Sequence, residues 1–316
     1  NGMGDGIIFN DSVPTASIEM VMLLNISGIN IYDLTGIEDF VALINLDCED
    51  NQLSSLDVSN NTALTSLKSR YNQLTSLDIS NNTALTYLEC DVNYLTSLDV
   101  SNNTNLTSLS CFANQLTSLD VSNNLSLTEL DCFDNQLTSL DVSNNTSLTS
   151  FQPRGNLLTI LDVSQNTVLT GFDCGDNLLT SLDVSNNTAL TELECYGNLL
   201  TGIDVAQNTA LTWLECHTNQ LTSLDLRNGN NTNMDISADS NPNLTCIDVD
   251  DASWSTSNWI VANGNIDSQH YFSNDCSSVP YDCTDSLEVT DVIIDNGALT
   301  MNIAIYNGYN SYLSMP

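Results

Sequence analysis

Residues 88–93 read L-E-C-D-V-N, and residues 94–107 continue as Y-L-T-S-L-D-V-S-N-N-T-N-L-T. Similar text returns every 21 residues, with one asparagine column that holds Asn51, Asn72, Asn93, Asn114, Asn135, Asn156, Asn177, Asn198 and Asn219. A fixed period of this length is the signature of a solenoid, in which each unit buries its apolar face by stacking on its neighbours. Any function must therefore lie in the residues that differ between turns.

Each repeat divides into a strand and a return segment. The pattern x-L-x-C-x-x-N predicts a short parallel strand, because alternation turns Leu and Cys inward and the x residues outward. The Asn column is expected to bond backbone groups where the chain leaves the strand. The remainder, L-T-S-L-D-V-S-N-N-T-A-L-T, has no helical period and predicts an extended or turn-like back. We expect a solenoid of about 10 to 11 turns, with parallel strands on its concave face and little helix.

The repeat also predicts the domain organisation. Residues 24–249 form the solenoid, with regular turns over 46–226 and a divergent last turn that ends at 249. Residues 1–23 are expected to be a partial N-terminal cap, since solenoid ends need covering. Residues 250–276 carry two Trp, a Tyr and a Phe and predict a C-terminal cap. Residues 277–316 alternate around an Asn-Gly pair, which predicts a hairpin and the start of an incomplete β-rich segment.

The composition is strongly acidic. Four Lys and Arg residues face 40 Asp and Glu residues, giving a formal net charge of −36. Such a surface repels phosphate backbones and anionic lipid headgroups, so nucleic acid and membrane surfaces are not expected partners. No apolar run reaches the roughly 18 residues that a transmembrane helix needs. Cations and basic protein patches remain as partners.

Seven of the ten cysteines share the inward strand position, where Ser69 and Pro153 replace them in two turns: Cys48, Cys90, Cys111, Cys132, Cys174, Cys195 and Cys216. We expect a ladder of buried, reduced and inert thiols, with metal binding or redox chemistry as the alternative. Cys246 and Cys276 lie outside the ladder. A disulfide between them would suit an extracellular cap and contribute roughly 3 to 4 kcal/mol if the geometry allows. The partner of Cys283 is left open.

An aspartate occupies the back of every regular turn: Asp57, Asp78, Asp99, Asp120, Asp141, Asp162, Asp183, Asp204 and Asp225. Neighbouring carboxylates repel by roughly a kcal/mol per pair in water, so each needs a partner. Backbone amides and Ser or Thr hydroxyls are the favoured partners, and bound Ca²⁺ is the alternative. No other cofactor is expected. The nearby N-N-T triplets match the glycosylation sequon but are interpreted as turn residues.

With strand, Asn column and cysteines in place, the chain resembles the leucine-rich repeat superfamily, whose strand motif is L-x-x-L-x-L-x-x-N-x-L. The version L-T-x-L-x-C-x-x-N-x-L-T-S-L-D-V-S is most similar to the cysteine-laddered repeats of bacterial internalins and of secreted Bacteroidetes proteins. The closing L-T-C-I-D-V-D-D resembles the disulfide cap of those secreted proteins. The resemblance covers residues 24–276 and implies display outside the cell and a binding role. Four residues depart from the pattern, and we expect them to change the local packing of the core but not the fold: Ser69, Pro153, Phe151 and Phe172.

Four columns vary between turns, and together they form what we call the concave face. They are the residue before the strand Leu and the first, third and fourth residues after it. Ten of these residues carry a ring or a positive charge and are the candidate binding residues: Lys68, Arg70, Tyr71, Tyr87, Phe112, Phe133, Arg154, Tyr196, Trp213 and His217. Exposed aromatics beside charges are typical of recognition surfaces. The alternative is drift at solvent-exposed positions, with Lys68 and Arg70 neutralising acids such as Asp47, Glu89 and Asp91.

The sequence argues against an enzyme. His217 has no Ser or Cys nucleophile in a fixed relation to it, and carboxylates in an open, wet groove are not expected to have separated pKa values. The sequence therefore predicts a secreted or cell-surface recognition or adhesion module that binds a protein or polysaccharide through its concave face, within a longer chain or assembly. The alternative is a structural spacer or assembly subunit of an extracellular appendage or matrix.

Overall fold

The computed structural model describes residues 18–277, 287–295 and 298–305. The chain forms two compact units, which divide between Asn274 and Asp275. Most of the predicted N-terminal cap, residues 1–23, lies outside the described residues, as does Cys283.

Short strands build the first unit. In chain order they are β1 (Leu23–Asn25), β2 (Asn45–Asp47), β3 (Ser66–Lys68), β4 (Tyr87–Glu89), β5 (Ser108–Ser110), β6 (Glu129–Asp131), β7 (Ser150–Gln152), β8 (Gly171–Asp173), β9 (Glu192–Glu194), β10 (Gly202–Asp204), β11 (Trp213–Glu215), β12 (Ser223–Asp225), β13 (Asp235–Ser237), β14 (Cys246–Asp248) and β15 (Tyr271–Ser273). Strands β1 to β9, β11 and β13 pair in parallel into one eleven-stranded sheet, which confirms the predicted solenoid. Strands β10, β12, β14 and β15 form a second, four-stranded sheet that the sequence did not predict.

The back of the regular turns consists mainly of turns and bends up to residue 201, as predicted, and contains β10 and β12 in the last two regular turns. Helical structure in residues 19–277 is limited to 3₁₀ turns at Ile37–Asp39, Asn231–Asn233 and Val261–Asn263 and to helix α1 (Ala252–Asn258). Asp251 caps α1, because its carboxylate accepts hydrogen bonds from the backbone N–H groups of Ser253 and Trp254.

The core is a continuous stack of the inward residues. Leu88 and Cys90 are fully buried, as are their equivalents in the neighbouring turns. Phe151 and Phe172 replace the strand Leu in consecutive turns and stack with ring centroids 5.6 Å apart. The two Phe departures are therefore accommodated together, since each ring fills space that the other would leave open.

The Asn column bonds the backbone, as predicted. The Asn93 Nδ2 donates to the carbonyl oxygens of Cys90 (3.1 Å), Asp91 (3.0 Å) and Ser69 (3.1 Å), and its Oδ1 accepts from the Leu74 N–H (2.9 Å). Each such asparagine thus ties two consecutive turns together. The residue before it adopts a left-handed backbone in every regular turn, with φ of 49° at Val92, so the fourth column of the concave face is also constrained by the turn.

A second asparagine ladder was missed by the interpretation of N-N-T as turn residues. Asn103 is fully buried, and its Nδ2 donates to the carbonyl oxygens of Ile79 (3.1 Å) and Asn82 (2.9 Å). The middle asparagine of the triplet therefore links turns from inside the back of the solenoid.

The last turns pack around Trp259, which is buried and donates from Nε1 to the Met234 carbonyl (3.2 Å). Trp254 and Phe272 contact its ring. Cys246 begins β14 at the position equivalent to Ser223, outside the cysteine ladder as the sequence predicted, and both Cys246 and Cys276 are disulfide-bonded. Their pairing with each other stays a prediction.

In the second unit, strands β16 (Leu287–Asp295) and β17 (Ala298–Ile305) pair antiparallel, as expected of the predicted hairpin. The Asn-Gly pair that was predicted to connect them lies outside the described residues.

Candidate functional site

Parallel register places residues of one column side by side. Lys68 lies opposite Glu89 on adjacent strands, and the same pairing holds along β2 to β9 and β11. Residues 21 positions apart in sequence are thus neighbours on the concave face, about 4.8 Å apart along the solenoid. Column contents therefore decide the chemistry of the face.

One column forms a stacked ridge, which we define as Phe112, Phe133, Arg154, Tyr196 and His217. The Phe112 and Phe133 rings stack with centroids 4.2 Å apart and planes 10° from parallel. The Arg154 guanidinium carbon lies 4.7 Å from the Phe133 ring centroid. The Tyr196 and His217 rings stack at 4.9 Å. The structure thus brings together five of the ten candidate residues.

The ridge presents ring edges to solvent. Because the stacked rings belong to neighbouring turns, their planes are roughly perpendicular to the solenoid axis. Phe133 has Phe112 against one face and Arg154 against the other, so both of its faces are covered. Neither face of the Phe133 ring is therefore open to a ligand, since both are used inside the ridge.

Tyr196 and Arg154 connect the two ring pairs across the turn of Gly175. The Tyr196 ring lies over Gly175, and its phenol approaches the Arg154 guanidinium: burial lowers the pKa of Arg154, but Tyr196 and the nearby Asp173 raise it overall. A Cβ at Gly175 would lie 2.7 Å from the Tyr196 Cζ, so the ring occupies the space that any larger residue would need. The ridge is continuous because residue 175 has no side chain.

Four candidate residues form a separate cluster near the N-terminal turns. Lys68 pairs with Glu89 (3.4 Å) and lies over the Tyr87 ring. Arg70 pairs with Glu49 (2.7 Å) and lies over the Tyr71 ring. The alternative in which these cations neutralise acidic neighbours is correct for Lys68 and Glu89, whereas Arg70 uses a different acid.

Buried carboxylates flank the ridge. Asp91 is 1% exposed, and burial, together with the Glu89 charge, raises its pKa to about 6 against hydrogen bonds from the Ser110 hydroxyl (2.5 Å) and the Phe112 N–H (3.2 Å). Burial and then the Asp91 charge raise the pKa of Asp131 to about 7. The expectation of an open, wet groove is therefore wrong here, because ring and strand atoms exclude water from these groups.

The same effect extends towards the C-terminal turns. Burial, followed by the charges of Asp173 and Glu215, raises the pKa of Glu194 to about 7. Burial also raises the pKa of Asp173, although the Gly175 N–H and Arg154 lower it. A row of acids with raised pKa values thus runs alongside the ridge.

The tenth candidate residue, Trp213, lies apart from the ridge and is 41% exposed. It lines a depression of about 480 Å³ together with Thr212, Asn233 and the acids Glu192, Glu194, Glu215 and Asp235. An exposed indole among carboxylates is suited to a positively charged group.

The aspartates of the back behave differently. The Asp99 Oδ1 accepts a hydrogen bond from the Ser101 N–H (2.9 Å), and the Ser101 hydroxyl and N–H lower the pKa of Asp99. Asp57, Asp78, Asp120, Asp141, Asp162 and Asp183 repeat this arrangement. Backbone and hydroxyl groups are thus their partners, as favoured from the sequence. Calcium binding stays a prediction.

The solved structures most similar in fold include bacterial internalins. The functional domain of InlJ from Listeria monocytogenes, described as including a cysteine ladder, is 35% identical, with 75% of this chain and 61% of that chain covered and a TM-score of 0.61. The chain is a leucine-rich repeat protein. Its resemblance to internalins, expected from the sequence, is confirmed, and it spans 61% of the InlJ chain in that structure.

Two further leucine-rich repeat structures share the fold. The Leptospira interrogans protein is 18% identical (80% of this chain and 85% of that chain, TM-score 0.51). The APL1 leucine-rich repeat domain is 24% identical (75% and 64%, TM-score 0.59). No protein-family model matches the chain, and none of the curated proteins matches it.

The cysteine ladder of this leucine-rich repeat protein is buried, and its seven thiols are free. Burial raises the pKa of Cys48 to about 12 and that of Cys90 well above its ordinary value. The Cys48 Sγ donates to the Lys68 carbonyl (3.3 Å). Protonated, inaccessible thiols are poor nucleophiles and poor ligands, which supports the inert interpretation.

Neither a catalytic nor a metal constellation is present in the part of the chain that the structure describes. His217 contacts the Thr218 hydroxyl (3.0 Å) and lies 3.8 Å from Glu215. Over the described ranges, no group of three or more His, Cys, Asp and Glu is arranged to hold a metal ion. Nor does any helix there have the length and apolarity needed to span a membrane.

Sequence reasoning missed five residues of the site, although all belong to the variable columns: Asp91, Asp131, Asp173, Gly175 and Glu194. Choosing the rings and positive charges of the variable columns selects anchor residues and leaves out the acids and the glycine around them. A column comparison contains a usable signal, because Gly175 is the one gap between Arg154 and Tyr196 in an otherwise bulky run.

Proposed function

We propose that this leucine-rich repeat protein is an extracellular recognition module that binds a protein partner through its concave face. The stacked ridge carries the proposal. Its rings and guanidinium are of the residue types that dominate interface energies. Because they are already packed against one another, binding would cost little side-chain entropy.

The geometry of the ridge favours a protein over a polysaccharide. Sugars stack on the faces of aromatic rings, and both faces of Phe133 are occupied by Phe112 and Arg154. A row of ring edges instead suits the irregular apolar and polar surface of a protein. Polysaccharide binding remains the second ligand class of the proposal.

The charge of the concave face favours a basic partner. Over the nine regular turns this face holds thirteen Asp and Glu residues and three Lys and Arg residues. Lys68, Arg70 and Arg154 each already pair with a carboxylate. The remaining acids attract a positively charged surface and steer its approach.

Secretion or cell-surface display, within a longer chain or assembly, is part of the proposal. Disulfides persist in oxidising compartments, and both Cys246 and Cys276 are disulfide-bonded. The resemblance of the repeat to those of internalins, which implies display outside the cell, supports the same setting.

An array of purified extracellular proteins and glycans tests the proposal. The intact protein is expected to bind basic proteins, and the Phe112→Ala, Phe133→Ala double variant is expected to lose that binding. Tyr94→Ala is the matched control, because Tyr94 is 53% exposed but lies outside the four columns. Binding to glycans alone, or equal binding by the double variant, would contradict the protein-binding proposal.

A structural spacer or assembly subunit is the second candidate, and one observation favours it. The first turns expose Met20, Leu23, Ile29 and Tyr32, each by more than half of its surface. An apolar end of a solenoid can stack on another unit. Concentration-dependent assembly in sedimentation, unchanged in the double variant and without any binding on the array, would favour this candidate.

A further inference from the structure

We infer that Gly175 is a positioning residue that joins the two ring pairs into one ridge, and that an extended basic segment of the partner lies along this ridge from Phe112 to His217. The inference rests on the proposed function and specifies its ligand. It assigns a role to a glycine that makes no contact of its own with a partner.

The space around Gly175 is filled by Tyr196. An ideal Cβ on residue 175 would lie 2.7 Å from Cζ and 2.8 Å from Cε1 of that ring. The backbone does not require glycine here, because its φ lies outside the left-handed region, unlike that of Gly155 or Gly197. Steric room for Tyr196 is therefore the reason for glycine at this position.

Continuity of the ridge depends on that room. The Tyr196 ring lies over Gly175, towards the Arg154 guanidinium that covers Phe133. A methyl group on residue 175 would push the Tyr196 ring away, and the ridge would separate into Phe112 with Phe133 and Tyr196 with His217. The far end of a half-buried side chain can move at low cost, so the solenoid would still fold.

The dimensions of the ridge indicate an extended ligand. The ridge extends over six consecutive turns. The five steps between them, at the strand spacing of about 4.8 Å, give it a length of about 24 Å. An extended peptide rises about 3.3 Å per residue, so about seven residues would cover it. A single inserted side chain or a compact loop tip would contact only one of the two ring pairs.

Charge complementarity indicates that this segment is basic. The acids beside the ridge include Asp131, Asp173, Glu194 and Glu215, and burial raises the pKa values of the first three. Within the described residues, Glu192, Glu194 and Asp235 form no salt bridge. Trp213 is exposed beside them. A cation supplied by the partner would neutralise this end of the face.

The test uses a synthetic peptide of alternating arginine and leucine, about eight residues long, and a shorter one of about four residues. Calorimetry is expected to show tighter binding of the longer peptide and a loss of about tenfold in Gly175→Ala. Gly171→Ala is the matched control, because it lies on the same strand face and its Cβ would meet nothing within 4 Å. All three proteins have the same charge, so unspecific attraction is equal.

A double-mutant cycle separates positioning from a general structural effect. If Gly175 acts through Tyr196, Gly175→Ala should have no further effect in a Tyr196→Ala background, where the clash is absent. An equal loss in both backgrounds would overturn the inference, as would unchanged binding by Gly175→Ala or no measurable peptide binding by the wild type. These outcomes are distinct from failure of the proposed function, which the protein array reports with natural partners.

Discussion

Two rows of carboxylates run along this solenoid at the same 21-residue spacing, and their pKa values shift in opposite directions. On the back, seven exposed aspartates accept a hydrogen bond from the serine two residues later and have lowered pKa values: Asp57, Asp78, Asp99, Asp120, Asp141, Asp162 and Asp183. On the concave face, burial raises the pKa values of Asp131, Asp173 and Glu194, which share one column, and of Asp91 in a neighbouring column. Spacing is therefore not what decides how a row of acids behaves.

The difference shows which row is structural. A carboxylate that accepts backbone and hydroxyl hydrogen bonds is stabilised in its charged form and holds a turn. A carboxylate buried beside rings is destabilised when charged, and a partner that supplies a cation relieves that cost. Perturbed acids of the second kind are typical of functional sites, which supports placing the function on the concave face.

Arg154→Met should have the largest effect, because Arg154 is the cation that lowers the pKa values of Asp131, Asp173 and Glu194. We expect a loss of about 1 to 2 kcal/mol in the free energy of unfolding near pH 8, reduced for the partial exposure of the side chain. Near pH 5 Asp131 and Glu194, with pKa values of about 7, are largely protonated, so the loss should shrink. Urea denaturation at both pH values measures it, with Gln152→Met as the control. Equal losses of unfolding free energy at both pH values would show that Arg154 does not act by stabilising charged acids on the concave face.

Asp91→Asn should stabilise the protein at high pH. The raised pKa of Asp91, about 6 against 3.8, means that its contribution is fully present below pH 3.8 and is lost as the pH rises through 6. Asparagine removes that loss and keeps an oxygen for Ser110 and Phe112. We expect a gain of about 1 kcal/mol near pH 8 and none near pH 4, measured by urea denaturation. A variant that is less stable at pH 8 would show that the charged form is favoured.

Asp99→Asn should have a smaller effect of opposite sign. The lowered pKa of Asp99 gives a contribution that is present above pH 3.8 and is lost as the pH falls through the lowered value. We therefore expect a slight decrease in the urea midpoint near neutral pH that disappears in acid. A stabilising effect at neutral pH would remove the distinction between the two rows.

Calcium should have the smallest effect. The Oδ1 atoms of the back row already accept backbone hydrogen bonds, and no metal-holding group occurs among the described residues. We expect the same thermal midpoint with added calcium and with EDTA. A midpoint that rises with calcium and falls with chelator would make the back row a cation site. Hydrogen bonds would then not be the only interactions that stabilise its charged carboxylates.

The scaffold was predictable because the residues that each turn needs for packing and hydrogen bonding recur at the same position in almost every repeat. Leu88, Cys90 and Asn93 recur in nearly every turn, and their burial and hydrogen bonds follow from alternation and from the need to satisfy backbone groups. The second sheet of β10, β12, β14 and β15 was not predictable, since β10 and β12 occupy the same repeat position as segments 97–99 and 118–120, which form no strand.

The site was predictable as a set of columns but not as a geometry. The 21-residue period makes it predictable that Phe112, Phe133 and Arg154 lie side by side in consecutive turns. Their ring orientation was not, since rotamers depend on what the next turn contributes. For the same reason, Asp91 was expected in an open groove and is in fact buried.

The sequence by itself determined the period, the leucine-rich repeat fold, the inward cysteines and which columns vary. All of these follow from interactions that every turn repeats. Only the tertiary structure decided that ring edges face outward, that Tyr196 crosses Gly175 to Arg154, and that one acidic row is buried while the other is solvated. The physical reason is that side-chain packing and desolvation depend on particular neighbours 21 residues away, whose combination occurs once in the chain.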